Sequence, residues 1–415
     1  MLNWRKETTL KSLCVDAKEK INVEDLNDET YISTENMIVN RGGITKATSL
    51  PTISKVSKIY PWDVLFSNIR TYFKKLHLSD FIWWCSNDVL IFRPNENVDS
   101  KFLFYSLSQE SFFDYTIKTS KWTKMPRWDK KAIDNYIINL PPINEQRRIA
   151  GVLSSLDDKI KLNNQINHNL QNYIDSIFNK RFVDYLYPDS NWELKESELW
   201  MIPINWNITT FDSIMKFSNW YWFNTEDMSD EEINNSYKIF KMWNIKTEWR
   251  IDKSKTKSWI LKDKCIWLEK FVSKKWDILM CMTDMKASVS PLLWHTALID
   301  RNGEFIINQR VWIVRAYDEI WYPFVYTMTN NQQFLERIRS KANSWVQVNL
   351  STKWICETKL VLPTKDLIDK FNFVTEPIYE KMFNNDNENE SLWTIRDTLL
   401  PKLMNWEINL DNVTI

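Results

Sequence analysis

Two short stretches hold most of the side chains in this chain that could do chemistry. In KTSKWTKMPRWDKK, the cations Lys118, Lys121, Lys124, Arg127, Lys130 and Lys131 stand against one acid, Asp129. Ser120 and Thr123 lie among them. Cations at that density, interleaved with hydroxyls, suit contact with phosphate oxygens. In SNIRTYFKK, Asn68, Arg70, Lys74 and Lys75 follow an apolar run entered at Asp63. Arg and Asn are the side chains that make paired hydrogen bonds to guanine and adenine edges. Two weaker sets lie further on. CMTDMKASVS offers Thr283, Lys286 and Ser288, and NSWVQVNLSTK offers Asn343, Ser344, Gln347, Asn349 and Lys353. Each set has a plainer reading, as solvated surface charge or as turn-filling Ser, Thr and Asn.

No catalytic arrangement accompanies them. There is no P-loop and no GxGxxG, even with Gly placed at suspect Trp positions. NLPPI (139–143) resembles an amino-methyltransferase motif but ends in Ile143 and precedes a helix. No nuclease-like set of acids and lysine stands out. The five cysteines form no C-x-x-C pair, and only three histidines exist, so neither a zinc site nor a disulfide framework is expected. The pattern favours a binding protein over an enzyme.

The chain has 415 residues, 44% of them hydrophobic, which suits two domains with real cores. Lys plus Arg and Asp plus Glu both number 54, so any basic surface must be local. MLNWRKETTL carries no apolar targeting core, and no apolar run is long enough for a membrane span. A cytoplasmic protein is expected.

Composition holds one anomaly: Gly occurs 4 times and Trp 23 times. Ordinary Gly usage would give roughly 29 in a chain of this length. Trp62 in YPWDVL and Trp276 in KKWDIL each precede an Asp at the entry to an apolar strand, where a turn wants Gly. Most of these Trp are therefore read as standing for Gly, as when a codon the source translates as Gly is rendered as Trp. Trp206, in IPINW, reads as a true Trp, and Trp4 as a candidate for one.

The elements that must position the polar stretches form an internal repeat. Residues 1–142 and 183–363 are mixed, with strand-like runs; 143–182 and 364–404 read as long helices. YPWDVLFSNIR matches KKWDILMCMTD, and KMPRWDKKAIDNYIINLPP matches VQVNLSTKWICETKLVLPT. Each copy ends in Leu-Pro ahead of its helix (Leu140-Pro141, Leu362-Pro363), and the matching tracts sit roughly 220 residues apart. The first helix steps by fours and threes through Ile149, Leu153, Leu156, Ile160, Asn163, Asn167, Leu170, Ile174 and Ile177, a heptad seam with Asn in its middle. The second runs through Leu367, Phe371, Val374 and Ile378, then the polar Lys381, Asn385 and Glu388, then Leu392, Ile395 and Leu399. Asn144 and Thr364 are the expected N-caps. Pro377 and NNDNENE are expected to kink or break the second helix. Two helices of roughly 36 residues would each span about 54 Å. Side by side and antiparallel, they would form a rod carrying one domain at each end.

At this point the chain resembles a known family. LPPINEQRRIAGVLSSLDDKIKLNNQINHNL followed by IFNKRFVDY is similar to the central conserved region of type I restriction enzyme specificity (S) subunits. IRDTLLPKLMNWEI resembles their C-terminal conserved region if Trp406 is read as Gly. KTSKWTKMPRWDKKAI resembles the end of a target recognition domain in that family. The resemblance covers almost the whole chain, in order.

It implies an α+β fold of two similar mixed α/β target recognition domains, each followed by a long helix, with pseudo-two-fold symmetry. The divisions are 1–142 (first recognition domain), 143–182 (central helix), 183–363 (second recognition domain) and 364–415 (C-terminal helix and tail). Each domain would read one half of a split double-stranded DNA target, and the helices would set the gap. Because the two copies differ in sequence, the target would be asymmetric. The rod would dock two methyltransferase (M) subunits, and restriction-translocation (R) subunits would join. The chain itself would do no chemistry. AdoMet, ATP and Mg would be bound by those partners, with none on this chain. Two other readings stay open: a two-headed scaffold that binds protein or glycan, and a specificity module acting in trans for a single-chain methyltransferase-nuclease.

Overall fold

A computed structural model describes residues 6–119, 130–186, 193–218, 221, 223–246, 250–253, 256–285, 295–317, 322–340, 347–349, 352–408 and 410. At residues 25, 130, 283–285, 337–340, 347–349, 352 and 354 it describes the backbone alone. The chain divides into two compact units, residues 1–163 with 388–415, and residues 164–387. Each unit therefore takes a share of both long helices.

The first unit is built around the run DVLFS. Its strand Val64–Ser67 is buried along its whole length. Alternation along the strand sends successive side chains to opposite faces. Val64 and Phe66 enter a core with Phe102, Phe112 and Phe113 from helices Ser100–Leu107 and Glu110–Lys118. Leu65 points the other way, into a core with Ile32, Ile59 and Cys85. The strand is central in an antiparallel sheet ordered Cys14–Val15, Val89–Pro94, Val64–Ser67, Leu76–Leu78. A second sheet is ordered Lys20–Asn22, Lys55–Ile59, Trp83–Cys85, Tyr31–Ile32. Lys6–Thr9 pairs antiparallel with Ile137–Leu140, which delivers the chain to Pro141 and the central helix.

The second unit repeats this plan. Its sheet runs Met215–Ser218, Val311–Ala316, Ile278–Cys281, Thr296–Leu298. Ile278 and Met280 face one core, and Leu279 and Cys281 another. Asn207–Thr210 pairs with Lys359–Leu362 just before the second long helix. The apolar runs DVLFS, WDILMCM, VWIVRA and KLVLP each form a strand, and the four-stranded sheets of the two copies have the same order.

The Trp-Asp turns also match. Trp62 has φ 75° and Trp276 φ 73°, left-handed conformations that Gly takes freely and a bulky side chain does not. Trp406, in the third stretch read as Gly, has φ 62°. Trp206 is 1% exposed and packs against Phe182 and Tyr185, as a true Trp would.

The central helix spans Ile143–Phe178 and ends in a π turn, Asn179–Val183. It begins one residue ahead of the expected cap. The Pro142 carbonyl accepts the amides of Glu145 and Gln146 at 2.9 and 3.1 Å, so Asn144 is not the N-cap. The C-terminal helix spans Lys365–Met404 without a break. Thr364 precedes it as expected, and its carbonyl accepts the amides of Leu367 and Ile368. Pro377 removes one rung of the hydrogen-bond ladder without ending the helix, which corrects the expected break.

The two helices run antiparallel within each unit. In the first unit Asn163 donates to Asn389 at 3.0 Å and Arg396 to Asp157 at 2.6 Å. In the second, Asn385 donates to Asn167 at 2.7 Å. The seam of the central helix lies where the heptads put it: Ile149, Leu153, Ile160 and Ile174 are buried, Leu156 and Leu170 half-buried. That of the C-terminal helix needs correction. Leu367 and Phe371 are buried, Val374, Ile378, Leu392 and Leu399 only half-buried, and Ile395 is 46% exposed. The inward stripe keeps Asn385 but otherwise passes through Thr375, Tyr379, Met382, Asn389 and Leu400. Counting apolar residues misplaced it because its middle is built from polar side chains that pair across the interface.

Candidate nucleic-acid interface

In the first unit the SNIRTYFKK stretch leaves the buried strand at Ser67 and makes a tight basic turn. The amide of Asn68 donates to the Asp88 carbonyl at 2.8 Å, and its side-chain oxygen is buried without a partner. Arg70 (φ 50°) and Lys74 (φ 50°) flank a 3₁₀ turn, Thr71–Phe73. A second loop is laced to this turn through its backbone. The amides of Asn40 and Arg41 donate to the carbonyls of Phe73 and Lys74 at 2.9 and 3.0 Å. Asn40 (φ 55°) and Arg41 (φ 62°) are left-handed as well. Four non-Gly residues in that region, on two touching loops, form a local concentration of backbone strain of the kind found at functional sites.

The side chains sort themselves. Lys74 is paired with Glu110 at 2.5 Å, on the helix that leads into the basic stretch. Lys75 donates to the Thr34 carbonyl at 2.5 Å, and burial pulls its pKa down. Both hold the loops together. Arg70 is the one of the four expected residues that is exposed. Tyr72 beside it is 51% exposed, with Val39 43% and Ile38 39% exposed on the partner loop. Lys118 is exposed at the end of its helix. Lys121, Thr123, Lys124 and Arg127 lie outside the described residues, and of Lys130 only the backbone, at the start of helix Lys130–Asp134, is described.

The first unit thus offers an exposed guanidinium, an aromatic ring and two aliphatic side chains on braced loops. Arg can make two hydrogen bonds to a guanine edge, and apolar groups can pack on a thymine methyl. Sequence reading named Arg70 but not Val39, Asn40 or Tyr72, which the structure places beside it. The turn signal NRGG at 40–43 was available for the second loop.

In the second unit, candidates from two distant stretches come together. Strands Thr283–Met285 and Gln347–Asn349 pair antiparallel, with Thr283 opposite Asn349 and Met285 opposite Gln347. A two-stranded ribbon is of a size that the major groove admits. Lys286, Asn343 and Ser344 lie outside the described residues. Lys353 is exposed on helix Thr352–Cys356 and pairs with Glu357 at 3.7 Å, the i,i+4 pattern of a solvated helix face. It is not brought into the ribbon.

Among the described residues no cluster of His, Cys, Asp or Glu could hold a metal ion, and no helix is long and apolar enough to cross a membrane. None of the five cysteines is in a disulfide.

Comparison with known proteins bears on this geometry. A family profile described as the type I restriction modification DNA specificity domain matches residues 3–172. The HindI specificity subunit of Haemophilus influenzae is 21% identical, the match covering 98% of this chain and all of that protein. The MjaIX specificity subunit of Methanocaldococcus jannaschii is 23% identical over 77% of this chain and 72% of its own length. In fold, the chain is similar to the S subunit of a type I restriction-modification system from M. genitalium. That match has a TM-score of 0.53 at 16% identity and covers 97% of each chain.

Proposed function

Because this chain belongs to the family of type I restriction-modification specificity subunits, we propose that it reads a split, asymmetric double-stranded DNA target. One observation carries the reading. The two units share one sheet order, yet the chain leaves the matching strand differently in each. After the strand entered at Asp63 the first unit presents Arg70 on a braced 3₁₀ turn. After the strand entered at Asp277 the second presents the ribbon of Thr283, Gln347 and Asn349. A repeated scaffold with unlike reading surfaces calls for two unlike half-sites, just as a symmetric dimer calls for a palindrome.

Phosphate contacts would fix register, and base-edge contacts would supply sequence. Lys118 and the basic stretch that follows it suit the first task; Arg70, Gln347 and Asn349 suit the second. The chain carries balanced charge, so partners would contribute to backbone contact. Two M subunits would dock on the helices and perform adenine methylation with AdoMet; R subunits would use ATP and Mg to translocate and cut. This chain would supply no catalytic group.

The test is a modified-base map of DNA from cells that co-express the chain and its M subunit. Methylated adenines at one split motif with a fixed gap are the expected result. A stable complex that methylates no split motif would overturn the reading.

A further inference from the structure

The polar middle of the C-terminal helix is costly in helix propensity, so its residues need a use. The structure gives them one. Asp386 accepts a hydrogen bond from Asn167 of the central helix at 2.9 Å and also pairs with Arg250 of the second recognition domain. Three elements therefore meet on one carboxylate. Its neighbours extend the contact: Arg301 donates to Asn387, and Lys275 to Glu380 at 2.5 Å. These three cations come from three separate segments of the domain.

The first unit has a junction of the same kind, centred on the other helix. Asp157 of the central helix accepts from Arg396 of the C-terminal helix at 2.6 Å and from the Tyr105 hydroxyl of the first recognition domain at 2.6 Å. Arg41 of that domain stands 3.7 Å from Asp397, which Arg396 also engages.

The side chains of Asp157 and Asp386 are 31% and 35% exposed. Ion pairs with that much water around them add little stability. What they add is direction. Apolar side chains tolerate small slides along a helix, whereas a carboxylate shared by two donors fixes height and rotation together. One helical turn rises about 5.4 Å and one base-pair step about 3.4 Å. A slide of less than one turn is therefore enough to shift a recognition domain by a base pair.

We propose that Asp157 and Asp386 are positioning residues that lock each recognition domain to the helix pair and thereby hold the gap between half-sites to a single length. This rests on the DNA-reading function proposed above. The experiment measures adenine modification in cells carrying the M subunit and either the wild-type chain or the Asp386→Ala or Asp157→Ala variant. Plasmids present the half-sites at the native gap and at one base pair more and fewer. The variants are expected to keep both half-site sequences but to raise modification at the altered gaps at least about tenfold relative to wild type. Two gentler variants, Arg250→Ala and Tyr105→Phe, remove only the domain's side of each junction. They give the same readout if the Asp variants fail to fold. Modification confined to the native gap in a folded variant, even if weaker everywhere, overturns the inference and leaves the DNA-reading function standing. A wild-type chain that modifies no split motif overturns that function instead.

Discussion

Asp63 and Arg93 are joined by two parallel hydrogen bonds of 2.8 Å, and the carboxylate also accepts the Tyr60 amide at 2.8 Å. Asp277 and Arg315 repeat the arrangement at 2.6 and 2.8 Å, with the Lys274 amide at 2.7 Å. Both Asp side chains are nearly inaccessible, 2% and 4% exposed. A buried carboxylate that loses its cation is left uncompensated, which costs about 3–5 kcal/mol. Arg93→Ala and Arg315→Ala are therefore expected to destabilise their own units by that amount. Denaturant unfolding checks it; losses below about 1 kcal/mol would mean that water replaces the guanidinium.

The turn beside each pair predicts a gain. A left-handed non-Gly residue costs about 1–2 kcal/mol. Trp62→Gly should recover most of that, since Trp62 is 51% exposed and has little packing to lose. Trp276→Gly should recover less, because the ring stacks on Tyr322 at 4.2 Å. Thermal midpoints should rise by roughly 2–4 °C at Trp62. The intact mass of protein from its native source should fall short of the Trp-containing sequence by one Trp-to-Gly step at each such site. An unshifted mass ends the Gly reading.

Much of the fold was legible because its signals are local. Strand runs such as DVLFS and VWIVRA, the Leu-Pro exits and the heptads of the central helix all follow from short-range periodicity. The second helix seam was not, because its inward residues are polar: Tyr379 meets Thr327 of the second unit, and Asn385 and Asn389 pair with Asn167 and Asn163 more than 200 residues away in sequence. The site was legible in part. Residue type singled out Arg70, which is exposed beside the braced turn, and Gln347 and Asn349, whose strand pairs with Thr283–Met285. It could not tell that Glu110 takes Lys74 or that Thr34 takes Lys75, since those partners come from elsewhere in the chain. The loop at Val39 and Asn40 was missed for the same reason: backbone bonds to Phe73 and Lys74 bring it to the turn.

The buried amides between the helices predict a contrast. Asn167 donates to the Met382 carbonyl at 3.2 Å and to Asp386, and accepts from Asn385. Asn167→Ala strands these groups and should cost about 1–3 kcal/mol in its unit. The double change Asn167→Leu with Asn385→Leu removes both sides and should cost far less, at the expense of a defined register. Unfolding titrations of the single and double variants give the comparison; equal losses in both would contradict it.

Acid should act on the first unit through His77. Burial lowers its pKa from 6.5 to about 4, and its ring stacks on Phe81 at 5.9 Å. A histidine whose folded pKa is depressed favours the neutral form. Its contribution is therefore full above about pH 6.5 and is lost as pH falls toward 4. His77→Phe should flatten the stability profile of the first unit across that window. A profile unchanged by the substitution would place the acid sensitivity elsewhere.

Arg70 is the sharpest prediction about reading. It is exposed, left-handed and fixed at the entrance of a turn that backbone bonds brace from the other side. A guanidinium held this way can reach a base edge without first losing its loop's freedom. Arg70→Ala should relax the sequence requirement at one position of one half-site, at about 1–3 kcal/mol of lost discrimination. The other half-site and the gap should stay unchanged. Lys118→Ala, by contrast, should weaken binding at all sequences alike and lower the salt dependence by about one ion. A modified-base map of Arg70→Ala, read beside a salt titration of Lys118→Ala, separates the two roles. If Arg70→Ala weakens every site equally and relaxes none, Arg70 contacts phosphate, and the base-reading role passes to Tyr72 and the Val39 loop.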